Sequence, residues 1–118
     1  MFAAFLGPGP PRAMVERMAH ALLFYDVVDD YIERRAPLRA EHLQLVREAD
    51  SRGEIVMGGA LADPVDGVVI VFRGADMAAA ESAARAFAEA DPYVANGLVK
   101  DWRVRHWMTV IGDGAKMP

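Results

Sequence analysis

The sequence predicts one α+β domain with the element order β-α-β-β-α-β, the ferredoxin-like arrangement of a four-stranded antiparallel sheet with two helices on one face. Apolar, β-branched segments alternate with two segments of helical periodicity, and turn residues separate them. The length agrees with this fold, because 118 residues with 53% hydrophobic side chains suffice for one domain with one core.

The first strand and the first helix are predicted within residues 19–52. Residues 19–28 carry aromatic and branched side chains on both faces, which favours a strand that is buried on both sides. A capping box is expected at residues 30–33, and Pro37 suits the first position of a helix that ends at Gly53. One stripe of this helix faces the core by its spacing, namely Leu38, His42, Leu45, Val46 and Ala49.

The second and third strands form the middle of the domain. Residues 54–61 read as a strand, and the pair Gly58–Gly59 indicates a bulge or a close approach to the backbone. Residues 68–73 are nearly all apolar, which is typical of a central strand.

An alanine-rich helix and a long strand complete the order. Asp76 is the predicted N-cap of a helix that ends near Ala90. Its predicted buried stripe consists of Ala80, Ala83, Ala84 and Phe87. Asp91 and Pro92 then open a short turn, and residues 98–111 are expected to form the last strand.

The pattern also predicts a homodimer. Two helices can cover only one face of the sheet, whereas the first and third strands are apolar on both faces. An apolar patch several strands wide rarely remains in contact with water. A second copy packed sheet face to sheet face is the simplest solution.

The termini are expected to lie outside the domain proper. Residues 1–17 are predicted to be a flexible leader, residues 18–112 the domain, and residues 113–118 a C-terminal tail. Alternatively, the leader is an arm that packs on a partner subunit through Phe2 and Phe5. Neither a secretory signal nor an apolar run of the roughly 20 residues needed to span a membrane is present. A cytoplasmic location without membrane association is therefore expected.

Composition excludes several classes of function. A net charge of −4 argues against nucleic acid as a partner. The sequence contains no cysteine, which excludes thiol nucleophiles and cysteine-ligated metals. It also lacks metal-ligand histidine spacing, a glycine-rich phosphate loop and a nucleophile elbow around either serine. We therefore expect neither a metal nor a cofactor.

His42 and Asp91 are the candidate pair for chemistry. The predicted fold places His42 on the first helix facing the sheet and Asp91 at the end of the second helix. A carboxylate in that position would orient the imidazole as a general base. Other interpretations are a core histidine with one hydrogen-bond partner and an aspartate that caps a short turn. His20 and His106 are interpreted as polar residues tolerated in half-buried strands.

At these residues the sequence resembles the YCII-related (YciI-like) family. The resemblance covers about residues 18–110, and the motifs that carry it are Arg39-Ala-Glu-His42-Leu, Gly53, Gly59, Ala90-Asp91-Pro92-Tyr93 and Gly97-Leu98. It implies a dimeric α+β barrel with His42 and Asp91 as the active-site pair. Arg39 matches the arginine of the family's Arg-x-x-His motif, and Tyr93 follows the Asp-Pro as in the family pattern. One branch of the family resembles chlorohydroquinone dehydrochlorinase.

Three functions are consistent with these residues. In the first, the protein is a lyase or isomerase in which His42 removes a proton from a small ring-bearing or enolisable substrate. Arg39 or the backbone at Gly58 and Gly59 would then stabilise the resulting anion, and Tyr93 would also contact the substrate. In the second, the protein is a non-catalytic dimer that binds a small metabolite or serves as an accessory module. In the third, the His–Asp pair only joins the two helices.

Overall fold

The computed structural model describes residues 18–116, so the predicted leader and the last two residues of the tail lie outside the described chain. Three short or irregular elements accompany the six predicted ones. The elements in order are β1 (Ala19–Val27), α1 (Tyr31–Arg35), a 3-10 turn (Ala36–Leu38), α2 (Arg39–Ser51), β2 (Ile55–Ala60), β3 (Gly67–Gly74), α3 (Met77–Ala90), α4 (Pro92–Ala95) and β4 (Val99–Trp107).

The four strands form one sheet in the order β2-β3-β1-β4, and every neighbouring pair is antiparallel. This order confirms the predicted ferredoxin-like fold. In the centre of the sheet, Leu23 of β1 lies opposite Ile70 of β3 on one side and Val104 of β4 on the other. The register places the side chains of these three residues on the same face.

The core lies between that face and the helices. Alternate residues of β1 are fully buried there, including Leu23 and Tyr25. Phe72 of β3 packs against Phe87 of α3 with ring centroids 5.6 Å apart. Leu22 and Phe24, which point to the opposite face by the same alternation, are only half-buried.

The start of the first helical segment differs from the prediction. Asp30 makes no side-chain capping bond, so the expected capping box is wrong. Its backbone angles, φ −97° and ψ 29°, are not those of the extended conformation that lets an N-cap side chain turn back. Pro37 lies in the 3-10 turn, and α2 begins only at Arg39.

Of the two alternatives for the glycine pair of β2, a bulge or a close approach, the structure shows the second, and the predicted end of the last strand is corrected. The register irregularity of β2 lies between Ile55 and Met57, so the bulge expected at the glycine pair is absent from it. A close approach does occur at Gly58, because a Cβ there would lie 3.0 Å from Ile70 Cγ1. The last strand ends at Trp107 rather than at residue 111, because its final partner is His20, near the start of β1.

The segment after β4 turns back over that end of β1. Thr109 is buried, and its hydroxyl lies 3.2 Å from His20 Nδ1 and accepts a 2.9 Å hydrogen bond from the backbone N–H of Lys116. Burial lowers the pKa of His20, and the positive charge of Arg73 lowers it further. The segment between Thr109 and Lys116 therefore covers the buried His20 side chain.

The helix α3 agrees with its prediction in most respects. The Asp76 carboxylate accepts a 2.8 Å hydrogen bond from Ala79 N, as expected of an N-cap. Its fully buried positions are Ala80, Ala84, Phe87 and Ala88, whereas the predicted Ala83 is only half-buried. The three buried alanines let the helix lie close to the sheet.

That close packing makes Gly74 sensitive to substitution. In a Gly74→Ala variant the new Cβ would lie 2.5 Å from Ala80 N and 2.9 Å from Ala79 Cβ. We expect the free energy of unfolding, measured by urea denaturation, to fall by about 1–3 kcal/mol. Gly59→Ala is the control, because no atom lies within 4 Å of its Cβ position. Equal destabilisation by both variants would contradict this packing.

Candidate active site

The helix α2 places His42 over the sheet, as we predicted from the core-facing stripe of this helix. Its side chain is 12% exposed, and Nδ1 lies 2.9 Å from the Oδ1 atom of Asp91. Asp91 is fully buried at the junction of α3 and α4. The structure therefore brings together the two residues that the sequence singled out, although 49 positions separate them.

Asp91 accepts two further hydrogen bonds besides the one from His42. The extended backbone of Asp91 lets Oδ1 accept from Tyr93 N at 3.0 Å, which caps α4. Its other oxygen, Oδ2, accepts from the Tyr25 hydroxyl at 2.7 Å. The capping role and the pairing role are thus compatible, because the carboxylate performs both.

These bonds determine which nitrogen of His42 is left without a partner. A carboxylate accepts hydrogen bonds, so Nδ1 of the imidazole is the donor. In the neutral ring the lone pair is then on Nε2. Within residues 18–116, Nε2 has no hydrogen-bond partner and is free to accept a proton.

Aromatic rings hold the imidazole in its orientation. The Tyr93 ring stacks on His42 with centroids 3.9 Å apart and planes 9° apart. Phe87 contacts the same imidazole edge-on at 6.1 Å. One face and one edge of the ring are therefore packed, which fixes the direction of both nitrogens.

Tyr25 is a site residue that the sequence reasoning missed. Burial raises the pKa of its phenol, and the adjacent Asp91 carboxylate raises it further, so the hydroxyl remains a neutral donor. The only signal in the sequence is a tyrosine at an inward position of β1, where its hydroxyl requires a partner. Strand periodicity identifies the inward position but does not identify that partner.

A cavity of about 200 Å³ lies beside His42, between the first helical segment and strands β2 and β3. Four of the predicted site residues line it, namely Arg39, His42, Gly58 and Gly59. Asp91 and Tyr93 are absent from the lining and support His42 from behind. The remaining lining residues are Tyr31, Arg35, Leu43, Val46, Ile55, Ala60, Val68 and Ile70.

The Tyr93 hydroxyl is buried, and the Arg39 guanidinium is its neighbour. Burial raises the pKa of this phenol, and Tyr31 contributes to the increase. The hydrogen-bonding contact with Arg39 and the positive charges of Arg39 and Arg35 oppose it. The buried hydroxyl therefore lies beside the arginine that the sequence had singled out.

The other histidines lie away from this cavity. His106 is exposed, and its Nε2 lies 2.6 Å from Glu81 Oε1, which together with Arg85 lowers the pKa of Glu81. Within residues 18–116, no group of three or more His, Asp or Glu side chains is arranged to hold a metal ion. No helix in that range is long and apolar enough to cross a membrane.

Fold and site together define a ferredoxin-like α+β domain in which a buried carboxylate orients a histidine beside a small cavity. The family model of the YCII-related domain matches residues 18–108, so the chain belongs to this family. The resemblance noted from the sequence is thereby confirmed.

A solved structure with a similar fold is 5-chloro-2-hydroxyhydroquinone dehydrochlorinase from Burkholderia phenoliruptrix AC1100, in complex with 2,5-dihydroxybenzoquinone. The TM-score is 0.60 at 17% identity, with 77% of this chain and 95% of that chain covered. At this identity the likeness establishes the fold alone. No curated protein matches the chain significantly in sequence.

The Tyr25 hydroxyl is predicted to contribute to stability through Asp91. A Tyr25→Phe variant leaves a buried carboxylate oxygen without its donor, and we expect the free energy of unfolding to fall by about 1–3 kcal/mol. Tyr31→Phe is the matched control, because the Tyr31 hydroxyl makes no side-chain hydrogen bond within the described residues. Chemical denaturation of both variants tests this, and equal losses would refute the assigned role of Tyr25.

Proposed function

We propose that this protein is a small-molecule lyase or isomerase in which His42 acts as the general base and Asp91 orients it. One observation carries the proposal: Nδ1 of His42 is bonded to a buried carboxylate while the same imidazole lines a cavity. This arrangement presents a basic nitrogen in a fixed direction to any molecule in the cavity.

The proposed step is a proton abstraction of the dehydrochlorinase type. His42 Nε2 takes a proton from a saturated ring carbon next to a carbonyl, as in the keto form of a hydroxylated ring, and the electron pair of the broken C–H bond is delocalised onto that carbonyl as an enolate. In an elimination, the carbon–chlorine bond then breaks and chloride leaves with its electron pair. In an isomerisation, the same proton returns to another carbon. The solved dehydrochlorinase with this fold supports the choice of reaction.

The remaining site residues have distinct proposed roles. Arg39 lines the cavity and would stabilise the negative charge that develops on the substrate. The backbone at Gly58 and Gly59 would admit the substrate close to β2, because neither residue has a side chain. Tyr93 would position the His42 ring from behind rather than touch the substrate.

A non-catalytic binding role is the alternative, and the same cavity supports it. In that case a ligand would be bound and returned unchanged, and His42 would serve only as a hydrogen-bonding group. A His42→Gln variant would then still bind its ligand. Recovery of a chemically changed ligand from the mixture would exclude this alternative.

Substitution of the pair tests catalysis directly. We expect His42→Ala to reduce proton abstraction by roughly 10²–10⁴-fold, since it removes the base. Asp91→Asn should also reduce the rate, because the imidazole loses its carboxylate partner, while ligand binding changes little. Chloride release from 5-chloro-2-hydroxyhydroquinone and loss of the ring-proton signal of 2,5-dihydroxybenzoquinone in D₂O are two suitable measurements.

The control is His106→Ala, which removes an exposed histidine from a different part of the fold. Circular dichroism of each variant confirms that the fold is retained. If the His42→Ala variant is as active as the parent, or if His106→Ala is equally impaired, the assignment of His42 as the base fails.

We also propose that the protein forms a homodimer through the open face of the sheet, which is the face opposite the helices. One row across all four strands consists of Met57, Val71, Leu22 and Arg105. Met57 is 68% exposed, while Leu22 and Val71 are half-buried. In the neighbouring row, Arg103 covers the Phe24 ring at 4.6 Å. Apolar side chains thus occupy the centre of a face that none of the helices between residues 18 and 116 covers.

A charge in that row is expected to separate the two copies. In a Val71→Glu variant, a carboxylate would have to be buried between the facing sheets, which is costly without a partner. We expect light scattering to give about twice the 12.9 kDa chain mass for the parent and the chain mass for the variant. Ala86→Glu adds the same charge on the exposed side of α3 and should leave the parent's mass unchanged. A monomeric parent would refute the dimer.

A further inference from the structure

We propose that the cavity binds a small organic anion, with its negative group at Arg35 and Arg39 and its apolar body against β2 and β3. This inference rests on the proposed function, because it names the substrate class of the same site. It adds that the ligand is negatively charged before any proton is removed. It also gives a role to Arg35, which the sequence reasoning did not single out.

The charge of the cavity wall is the first argument. Two arginines and one histidine line the cavity, and no aspartate or glutamate does. Among the described residues, neither Arg35 nor Arg39 forms an ion pair with a carboxylate. Four other arginines do have a carboxylate partner, namely Arg34, Arg52, Arg85 and Arg103. Within residues 18–116, no carboxylate thus compensates the positive charge in the cavity, although the whole chain is acidic with a net charge of −4.

The spacing of the two arginines is the second argument. Arg35 ends α1 and Arg39 begins α2, so the two lie one helical turn apart across the 3-10 turn. His42 and Val46 continue the same row at helical spacing, and all four residues line the cavity. Two like charges at this spacing disfavour each other, and a bound anion removes that penalty.

The Tyr31 side chain at the same end of the cavity is the third argument. The Arg35 guanidinium lies over the Tyr31 ring, 5.3 Å from its centroid, which restrains the arginine. Tyr31 lines the cavity, and its hydroxyl makes no side-chain hydrogen bond within the described chain. The Tyr31 hydroxyl and the guanidinium groups of Arg35 and Arg39 are therefore hydrogen-bond donors in the same part of the wall.

The rest of the wall determines the body of the ligand. It consists of two glycines, Gly58 and Gly59, and six aliphatic side chains, namely Leu43, Val46, Ile55, Ala60, Val68 and Ile70. The volume of about 200 Å³ is smaller than the roughly 300–1,000 Å³ of sites for drug-sized ligands. A molecule built on a single ring, with a carboxylate or an acidic phenol, matches both the size and the chemistry.

A comparison of the binding of benzoate and of benzamide to the full chain tests whether the cavity prefers a negatively charged ligand. The two probes have nearly the same shape, but only benzoate is charged. In titrations followed by the amide signals of the ¹⁵N-labelled protein, we expect saturable binding of benzoate at least about tenfold tighter than that of benzamide. Added salt should weaken the binding of benzoate only. Equal affinities, or no saturable binding of benzoate, would overturn the proposal.

Variants of the two arginines test whether these residues bind the anionic group of the ligand. Arg35→Gln and Arg39→Gln should each weaken benzoate about tenfold or more, and Arg39→Lys should weaken it less, because the charge is kept. Arg47→Gln, an exposed arginine on α2 outside the cavity, is the matched control. If Arg47→Gln weakens benzoate as much as the other two variants, the assigned site is wrong. Competition by inorganic phosphate at the same concentration as benzoate would overturn the proposed apolar part of the ligand.

This experiment separates the inference from the proposed function. Benzoate binding is measured on the parent and on the two arginine variants, whereas the loss of proton abstraction is measured on the His42→Ala variant. Selective benzoate binding without any turnover would refute the enzyme and support the anion site. Turnover that depends on His42 but is accompanied by equal binding of benzoate and benzamide would refute the anion site alone.

Discussion

The Asp91 carboxylate is the interaction on which the rest of the site depends. It is fully buried and joins three parts of the fold: β1 through Tyr25, α2 through His42, and the start of α4 through Tyr93 N. A buried carboxylate is tolerated only when its oxygens are satisfied, and hydrogen bonds to a charged group contribute roughly 1.5–3 kcal/mol each. The same bonds that make its burial tolerable therefore fix the helices relative to the sheet and aim the imidazole. The stability of the fold and the geometry of the site therefore depend on the same hydrogen bonds to Asp91.

The two faces of the sheet have different roles. Inward side chains of β1 and β3 form the core, and those of β2 and β3 form the floor of the cavity. Leu22 and Val71 lie on the open face, where none of the described helices covers them. Because side chains alternate along each strand, a shift of one residue would exchange the two sets. The tight register between β1 and β3, which runs from Ala19 to Asp26, prevents such a shift. A single backbone arrangement thus supports both the candidate active site and the proposed dimer surface.

The sequence was sufficient to predict the order of the elements and to select His42 and Asp91 as a pair, because periodicity and local motifs carry that information. It was not sufficient for Tyr25 or Arg35, whose roles arise from neighbours that are distant in the chain or lie across an irregular turn. The end of β4 was placed too late for a similar reason. A strand ends where its partner ends, and the partner of Trp107 is His20, 87 positions earlier in the chain. The capping box failed because the backbone at Asp30 is not extended, which the residue types alone do not reveal.

The position of β2 in the sheet has a consequence for how the cavity fills. β2 lies at the edge, paired only with β3 among the described strands, and its register is irregular near Ile55. An edge strand with an interrupted ladder separates from its neighbour at lower cost than a central one. The wall that carries Gly58 and Gly59 is therefore the compliant side of the cavity, whereas the Asp91 network holds the opposite wall rigid. An outward movement of that edge would widen the cavity without displacing His42, because the imidazole is held from the other side by Asp91.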